Sequence, residues 1–164
     1  MNSKVLRVLE YHKIIDRLTE KASSEPGKRL TAALVPMTDP EEITAAQTQT
    51  ADALGRLFAK GPTSFGSNKD LGMSLKSLEV GSVLSIAELL RIASFLENVN
   101  RIKAYGRRDR DDLPGDSLDI YFDSLEPLTP LANEINRCIL SEEEIADDAS
   151  PALKRIRRSM AITN

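Results

Sequence analysis

The sequence is poor in aromatic residues and in cysteine. Phe, Trp and Tyr make up 4% of its 164 residues, Trp is absent, and Cys138 is the single cysteine. One cysteine excludes an intramolecular disulfide framework and a multi-cysteine zinc site, as is typical of a reducing compartment. A core with so few aromatic rings has to be built from Leu, Ile, Val and Ala, which favours helix-on-helix packing over a β-sandwich.

Long apolar runs are missing as well. No run reaches the length of about 18 apolar residues that a membrane-spanning helix needs, and the N-terminus lacks the pattern of a signal peptide. We therefore expect a cytoplasmic protein with no membrane partner. The formal net charge is −3, so nucleic acid would have to be bound by a local basic face on an acidic body.

What the sequence does contain is a series of amphipathic segments with helix-start signals. Residues 39–42 (DPEE) place a capping Asp before Pro and two acidic residues, and residues 85–88 (SIAE) form a capping box. Similar starts are predicted at Ser24, Thr129 and Ser150. The apolar residues that follow recur at helical spacing, and we expect their stripes to be buried. The sequence thus predicts a mainly α, irregular multi-helix core domain with at most a small β-hairpin.

The sequence leaves two secondary-structure assignments open and gives no stop signal for the last helix. The first 22 residues fit one bent helix or two short ones, and the acidic segment 141–148 fits a loop or a hairpin. The last helix starts at Ser150-Pro151 and meets no stop signal before Asn164. We therefore expect this helix to continue beyond the given sequence.

No catalytic motif is present. The sequence lacks a Gly-x-x-x-x-Gly-Lys-Ser/Thr phosphate-binding loop. His12 has no His or Cys near it in sequence and is interpreted as a capping or surface residue rather than a ligand or base. Cys138 has no downstream histidine to activate it, which favours a buried, inert thiol over a nucleophile. The acidic clusters lack EF-hand spacing and are interpreted as solvated or dipole-facing carboxylates. We expect no catalytic residue, metal ion or cofactor in these residues.

Two basic clusters are the candidate contacts to nucleic acid. One lies at the end of the long helix and in the loop beyond it, and the other lies on the last helix. Both could contact phosphates, but for the first a solvated surface is the preferred interpretation, because Asp residues are interspersed in it. The clusters consist of Arg101, Lys103, Arg107, Arg108 and Arg110, and of Lys154, Arg155, Arg157 and Arg158.

Several motifs, in their order, resemble those of MutS-type proteins. Residues 24–30 (SEPGKRL) and 36–43 (PMTDPEEI) resemble the stretch that opens the core helical domain of that family. Residues 9–14 and 74–85 resemble its recombination-suppressor branch, MutS-II, whose members carry a C-terminal Smr domain. Residues 150–158 resemble the entry into that branch's long lever helix. The resemblance covers nearly the whole chain.

This resemblance implies a helical core over residues 1–149 and the start of a truncated lever helix over residues 150–164. The branch is similar across its members in being a cytoplasmic, homodimeric ATPase with a nuclease domain. It binds branched DNA, suppresses homologous recombination and, in some bacteria, rescues collided ribosomes. ATP and Mg²⁺ would act outside these residues, and the chain would be a scaffold that supports the nucleic-acid clamp and relays the ATPase state.

The sequence is compatible with two other function classes. An unrelated helical protein-interaction domain would have the same amphipathic helices and acidic balance. A free-standing enzyme is disfavoured, since no nucleophile–base pair or metal cluster can be assembled from the motifs present.

Overall fold

A computed structural model describes residues 3–66, 71–107 and 115–163. These residues form nine α-helices and one isolated antiparallel bridge, between Ile139 and Ile145. The prediction of a mainly α chain is thereby confirmed. The helices are α1 (Ser3–Val8), α2 (Tyr11–Lys21), α3 (Glu25–Ala32), α4 (Pro40–Lys60), α5 (Gly72–Glu79), α6 (Ile86–Gly106), α7 (Asp119–Asp123), α8 (Thr129–Cys138) and α9 (Pro151–Thr163).

The contacts group the chain into two compact units. Unit 1 consists of Met1–Asp70 and Arg101–Leu125, and unit 2 of Leu71–Asn100 and Glu126–Asn164. Helix α6 contributes residues to both. The division into residues 1–149 and 150–164 concerns a different property, the entry into a lever helix, and stays a prediction.

Side-chain caps determine where several helices begin. The predicted capping box is formed at α6, where the Glu88 N–H donates to Ser85 Oγ at 3.3 Å and the Ser85 N–H donates to Glu88 Oε2 at 2.9 Å. Each of these bonds gives a backbone N–H at the helix start a side-chain acceptor. The predicted caps at Ser24, Asp39 and Ser150 also accept a backbone N–H from the first turn.

Two residues in the left-handed region mark helix starts, one of which differs from expectation. The N-terminal segment forms two helices, α1 and α2, because Glu10 between them has φ 53°. The expectation that Thr129 caps α8 is wrong. Thr129 is the first residue of that helix, and the cap position belongs to Leu128, which has φ 42° and makes no side-chain cap. Pro130 lies in the first turn, where its missing N–H removes no helical hydrogen bond.

The buried core lies in unit 2. Ala93 of α6 packs with Ile135 and Ile139 of α8 and its C-cap, and Leu96 and Val99 of α6 are buried as well. Full burial of a Leu, Ile or Val side chain stabilises a fold by about 1.5–3 kcal/mol. The apolar stripe predicted for α6 is therefore confirmed at these positions and holds unit 2 together.

The apolar residues in the last turns of helix α4, in unit 1, are exposed rather than buried. Its predicted apolar stripe was expected to be buried, and this is wrong for its last turns: Leu54, Leu57 and Phe58 are 50%, 44% and 81% exposed. The described residues of unit 1 place too little apolar surface over these turns to cover them. An apolar face of α4 is thus accessible to other partners.

Candidate nucleic-acid interface

The second basic cluster lies on α9 in unit 2. Lys154, Arg155 and Arg158 are exposed, and at 3.6 residues per turn they fall within about 100° of the helix circumference. Their side chains make no hydrogen bond or ion pair with the residues that the structure describes. Three cations on one helix face, each free of an internal partner, are available to phosphate oxygens. We refer to these three residues as the α9 basic face.

Arg157 of the same cluster has a different role. Its guanidinium donates to the Ile145 carbonyl at 3.0 Å and is ion-paired with Asp147. Both partners belong to the acidic turn that precedes α9. Arg157 therefore fastens α9 to this turn, and its charge is already compensated.

The first basic cluster has intramolecular partners in unit 1. The Arg101 guanidinium donates to the Ser64 carbonyl at 3.1 Å, and Lys103 Nζ donates to the Leu125 carbonyl at 2.6 Å. Arg107 is exposed, whereas Arg108 and Arg110 lie outside the described residues. Arg101 and Lys103 therefore contribute hydrogen bonds to the fold of unit 1. A contact of this cluster with phosphates stays a prediction.

Charge is segregated along the chain. Residues 115–149 contain ten acidic residues and one basic residue, whereas residues 150–164 contain four basic residues and no acidic one. A polyanion is repelled by the first segment and attracted by the second. The net charge of −3 therefore conceals a basic C-terminal helix, which is the local feature that nucleic-acid binding by an acidic protein requires.

A partly buried charged network in unit 1 has no counterpart in the sequence motifs. The Arg56 guanidinium donates to Asp116 at 2.6 Å, to Asp119 at 2.6 Å and to the Gly106 carbonyl at 2.9 Å, and it lies 4.7 Å from the centroid of the Phe122 ring. The hydrogen bond from Arg56 holds the pKa of Asp116 below its ordinary value. The Arg56 guanidinium is ion-paired with Asp116 and Asp119 within this network, so we interpret the network as structural. The groups that accept hydrogen bonds from Arg56 lie 50 to 63 residues from it in sequence, beyond the reach of any periodic pattern.

The single cysteine and the single histidine of the sequence, Cys138 and His12, belong to different units. Cys138 is half-buried rather than buried, and its Sγ accepts a hydrogen bond from Arg137 at 3.2 Å. Desolvation, aided by the Glu134 carboxylate, raises the pKa of the Cys138 thiol. A raised pKa lowers the thiolate fraction at a given pH. That the thiol is inert stays a prediction. His12 is exposed, as expected of a surface residue.

Among the described residues, neither a metal-ion site nor a membrane-spanning helix is found. Across residues 3–66, 71–107 and 115–163, no group of three or more His, Cys, Asp or Glu side chains is placed to hold a metal ion. Among the described helices, none combines the length and the apolar character needed to cross a membrane.

Proteins named endonuclease MutS2 are similar to this chain along its whole length. The chain is 47% identical over 169 residues to the one of Lachnoclostridium phytofermentans, covering 100% of this chain and 21% of that protein. It is 49% identical over 160 residues to the one of Agathobacter rectalis, with 98% and 20% covered. With the one of Acetivibrio thermocellus it shares 40% identity over 161 residues, again with 98% and 20% covered. No protein-family model matches the chain.

These findings place the chain first in a class and then in a family. It is a mainly α-helical protein of MutS type, with exposed basic and apolar helix faces. Within that class it belongs to the MutS2 family, as identities of 40–49% over nearly all of its residues show. The chain spans about a fifth of the length of the curated relatives it matches. The alternative of an unrelated helical interaction domain is thereby disfavoured.

Proposed function

We propose that the chain is a scaffold module of a MutS2-type protein that binds nucleic acid, and that the α9 basic face contributes a contact to it. The observation that carries this proposal is the near-complete match to proteins named endonuclease MutS2. An endonuclease cleaves nucleic acid, so a module of such a protein belongs to a molecule that holds nucleic acid.

The surface of unit 2 supports the second half of the proposal. Lys154, Arg155 and Arg158 are exposed, while the neighbouring Arg157 fixes the helix that carries them. Cations on a fixed helix can bind phosphates with little further ordering of the backbone, which reduces the entropy lost on binding. Such contacts read the phosphate backbone rather than base sequence.

The proposal extends to the whole protein of which this chain would be a part. We propose branched DNA as the nucleic acid, suppression of homologous recombination as the outcome, and the ribosome as a second target. The whole protein would be a cytoplasmic homodimer. ATP and Mg²⁺ would be bound outside these 164 residues, which contain no phosphate-binding loop motif. The chain would support the nucleic-acid clamp and relay the ATPase state to it.

The α9 contribution can be tested by binding of a fluorescently labelled four-way DNA junction. We expect the 164-residue chain to bind it weakly, and the triple variant Lys154→Ala/Arg155→Ala/Arg158→Ala to bind at least about tenfold more weakly, since each lost phosphate contact removes a counterion-release contribution. The matched control is Arg17→Ala/Lys21→Ala/Lys76→Ala, which removes three exposed cations elsewhere.

The control separates a local contact from a general effect of charge. Both triple variants change the net charge equally, so the control should keep most of the wild-type affinity. Equal losses in the two variants would contradict a specific role of α9. Wild-type affinity in the α9 variant would do so as well.

A further inference from the structure

The acidic turn before α9, residues 141–148, carries a dense group of carboxylates. All of them are exposed. The backbone beneath them is held in place, because the Ala146 N–H donates to the Cys138 carbonyl at 2.9 Å and the Leu140 N–H donates to the Glu144 carbonyl at 2.9 Å. The carboxylates belong to Glu142, Glu143, Glu144, Asp147 and Asp148.

Arg157 is the cation of α9 that contacts this turn. Successive residues of a helix are about 100° apart around its axis, so Arg157 lies about 60° from Lys154 and borders the α9 basic face. Its side chain is 41% exposed and is therefore accessible to a ligand. The Arg157 Nη1 donates to the Ile145 carbonyl at 3.0 Å and is ion-paired with Asp147. Arg157 thus differs from the three residues of the basic face by its carboxylate partner.

The ion pair opposes a contact between Arg157 and a phosphate in two ways. The phosphate has to replace Asp147 at the guanidinium, and the displaced carboxylate then remains close to a second anion, which repels it. The other carboxylates of the acidic turn add to this repulsion. On the α9 basic face, by contrast, a phosphate meets cations whose charge is not compensated. The charges around α9 therefore favour phosphates at that face and oppose them at Arg157.

We propose that Asp147 directs nucleic acid to the α9 basic face by keeping Arg157 from phosphates. Arg157 is a fourth cation of α9, and it contacts nucleic acid only when the charge of Asp147 is removed. The same ion pair connects α9 to the acidic turn, so the contact that orients the helix also limits which of its cations bind phosphates. This inference rests on the proposed function, because it concerns how the same helix binds nucleic acid.

The salt dependence of binding to the labelled four-way junction tests this with Asp147→Asn. Asn keeps the size of the side chain and removes its charge. We expect the slope of the logarithm of the association constant against the logarithm of the salt concentration to become steeper by about 0.9, because one further phosphate contact is formed. Binding should also tighten at least about threefold at low salt. In Asp147→Asn/Arg157→Ala the slope should return to the wild-type value, since the added cation is gone.

Asp148→Asn is the matched control, because it removes one carboxylate of the same turn. Asp148 is exposed, and its backbone carbonyl rather than its carboxylate accepts a hydrogen bond from Arg137 at 3.1 Å. This variant should keep the wild-type slope. A wild-type slope in Asp147→Asn would overturn the proposal. Equal steepening in the two Asn variants would do so too, because it would indicate a general effect of net charge, and so would a steepening that persists without Arg157.

The outcomes also separate this inference from the proposed function. If Lys154→Ala/Arg155→Ala/Arg158→Ala binds more weakly than wild type and Asp147→Asn keeps the wild-type slope, the proposed function stands and the inference fails. If that triple variant binds like wild type and Asp147→Asn gains a contact, the proposed role of the basic face fails and the control of Arg157 by Asp147 is supported. Absence of junction binding by both wild type and Asp147→Asn would overturn both.

Discussion

Arg56 connects three parts of unit 1 through one buried guanidinium. Its side chain is 9% exposed, and it joins α4 to Gly106 at the end of α6, to Asp116 just before α7 and to Asp119 at the start of α7. A buried charge with full hydrogen bonding is stable, but removing one partner leaves the other charges uncompensated. Unit 1 has no large buried apolar cluster among its described residues, so this network has a large share in its stability.

Replacing Arg56 by Met should therefore destabilise the chain markedly. We expect a loss of about 3 kcal/mol in the free energy of unfolding, because two carboxylates are left facing each other without a cation. Urea denaturation followed by circular dichroism measures it. The control is Lys28→Met in unit 1, whose ion pair with Glu25 has side chains 45% and 61% exposed and should matter far less. Similar losses for the two variants would contradict this account.

The same network predicts an acid-sensitive component of stability. The hydrogen bond from Arg56 lowers the pKa of Asp116 below its ordinary value of 3.8. A carboxyl group with a lowered folded pKa stabilises the fold above its unfolded pKa, and this stability is lost as the pH falls through the folded pKa. Asp116→Asn should thus be less stable than wild type near pH 7, and the gap should narrow below about pH 4. Urea midpoints measured across this range check the prediction, and parallel profiles would argue against it.

At the scale of helices, two glycines show how packing reverses an intrinsic preference. Gly55 lies within α4, and a Cβ atom added there meets nothing within 4 Å. Gly106 is the last residue of α6, and a Cβ atom there would overlap the Phe122 side chain. Phe122 cannot retreat freely, because its ring also packs against the Arg56 guanidinium.

The same substitution at these two glycines should have opposite effects. Gly55→Ala should stabilise the chain by about 0.5–1 kcal/mol, since Ala restricts the unfolded chain and favours a helix. Gly106→Ala should destabilise it by about 1–3 kcal/mol through overpacking against Phe122. Thermal unfolding of both variants beside wild type measures the difference. A stabilised Gly106→Ala protein would show that α7 is free to move away.

Helix starts were predictable from sequence because they depend on neighbouring residues. The Ser85–Glu88 capping box and the Asp39 cap act over two or three positions, and the structure contains both. The αL conformation of Leu128 was not predictable, because nothing in the side chain favours it. Nor was the Arg56–Asp116 pair, which joins residues 60 apart. Burial of the last turns of α4 was predicted wrongly for a related reason, since periodicity identifies an apolar face but not what covers it.

Prediction of the candidate nucleic-acid interface from sequence was limited in the same way, because tertiary contacts decide which cations are free. The sequence grouped Arg157 with Lys154, Arg155 and Arg158, and helical spacing alone gives no reason to separate them. The structure does, because the Ile145 carbonyl of the preceding turn accepts a hydrogen bond from Arg157. The position of that turn depends on the Ile139–Ile145 bridge, a tertiary feature that composition does not reveal.

At the scale of the whole molecule, each unit presents a different kind of exposed surface. The α9 basic face belongs to unit 2, and the exposed apolar turns of α4 belong to unit 1. Exposed cations are complementary to the phosphates of nucleic acid, and an exposed apolar helix face is available to another apolar surface.

The salt dependence of junction binding tests the central claim most directly. The logarithm of the association constant is plotted against the logarithm of the salt concentration for wild type and for the Lys154→Ala/Arg155→Ala/Arg158→Ala variant. Each phosphate contact contributes a slope of about −0.9 on duplex DNA, so the slope should become shallower by about 2.7 in the variant. An unchanged slope would contradict the claim that α9 contacts nucleic acid.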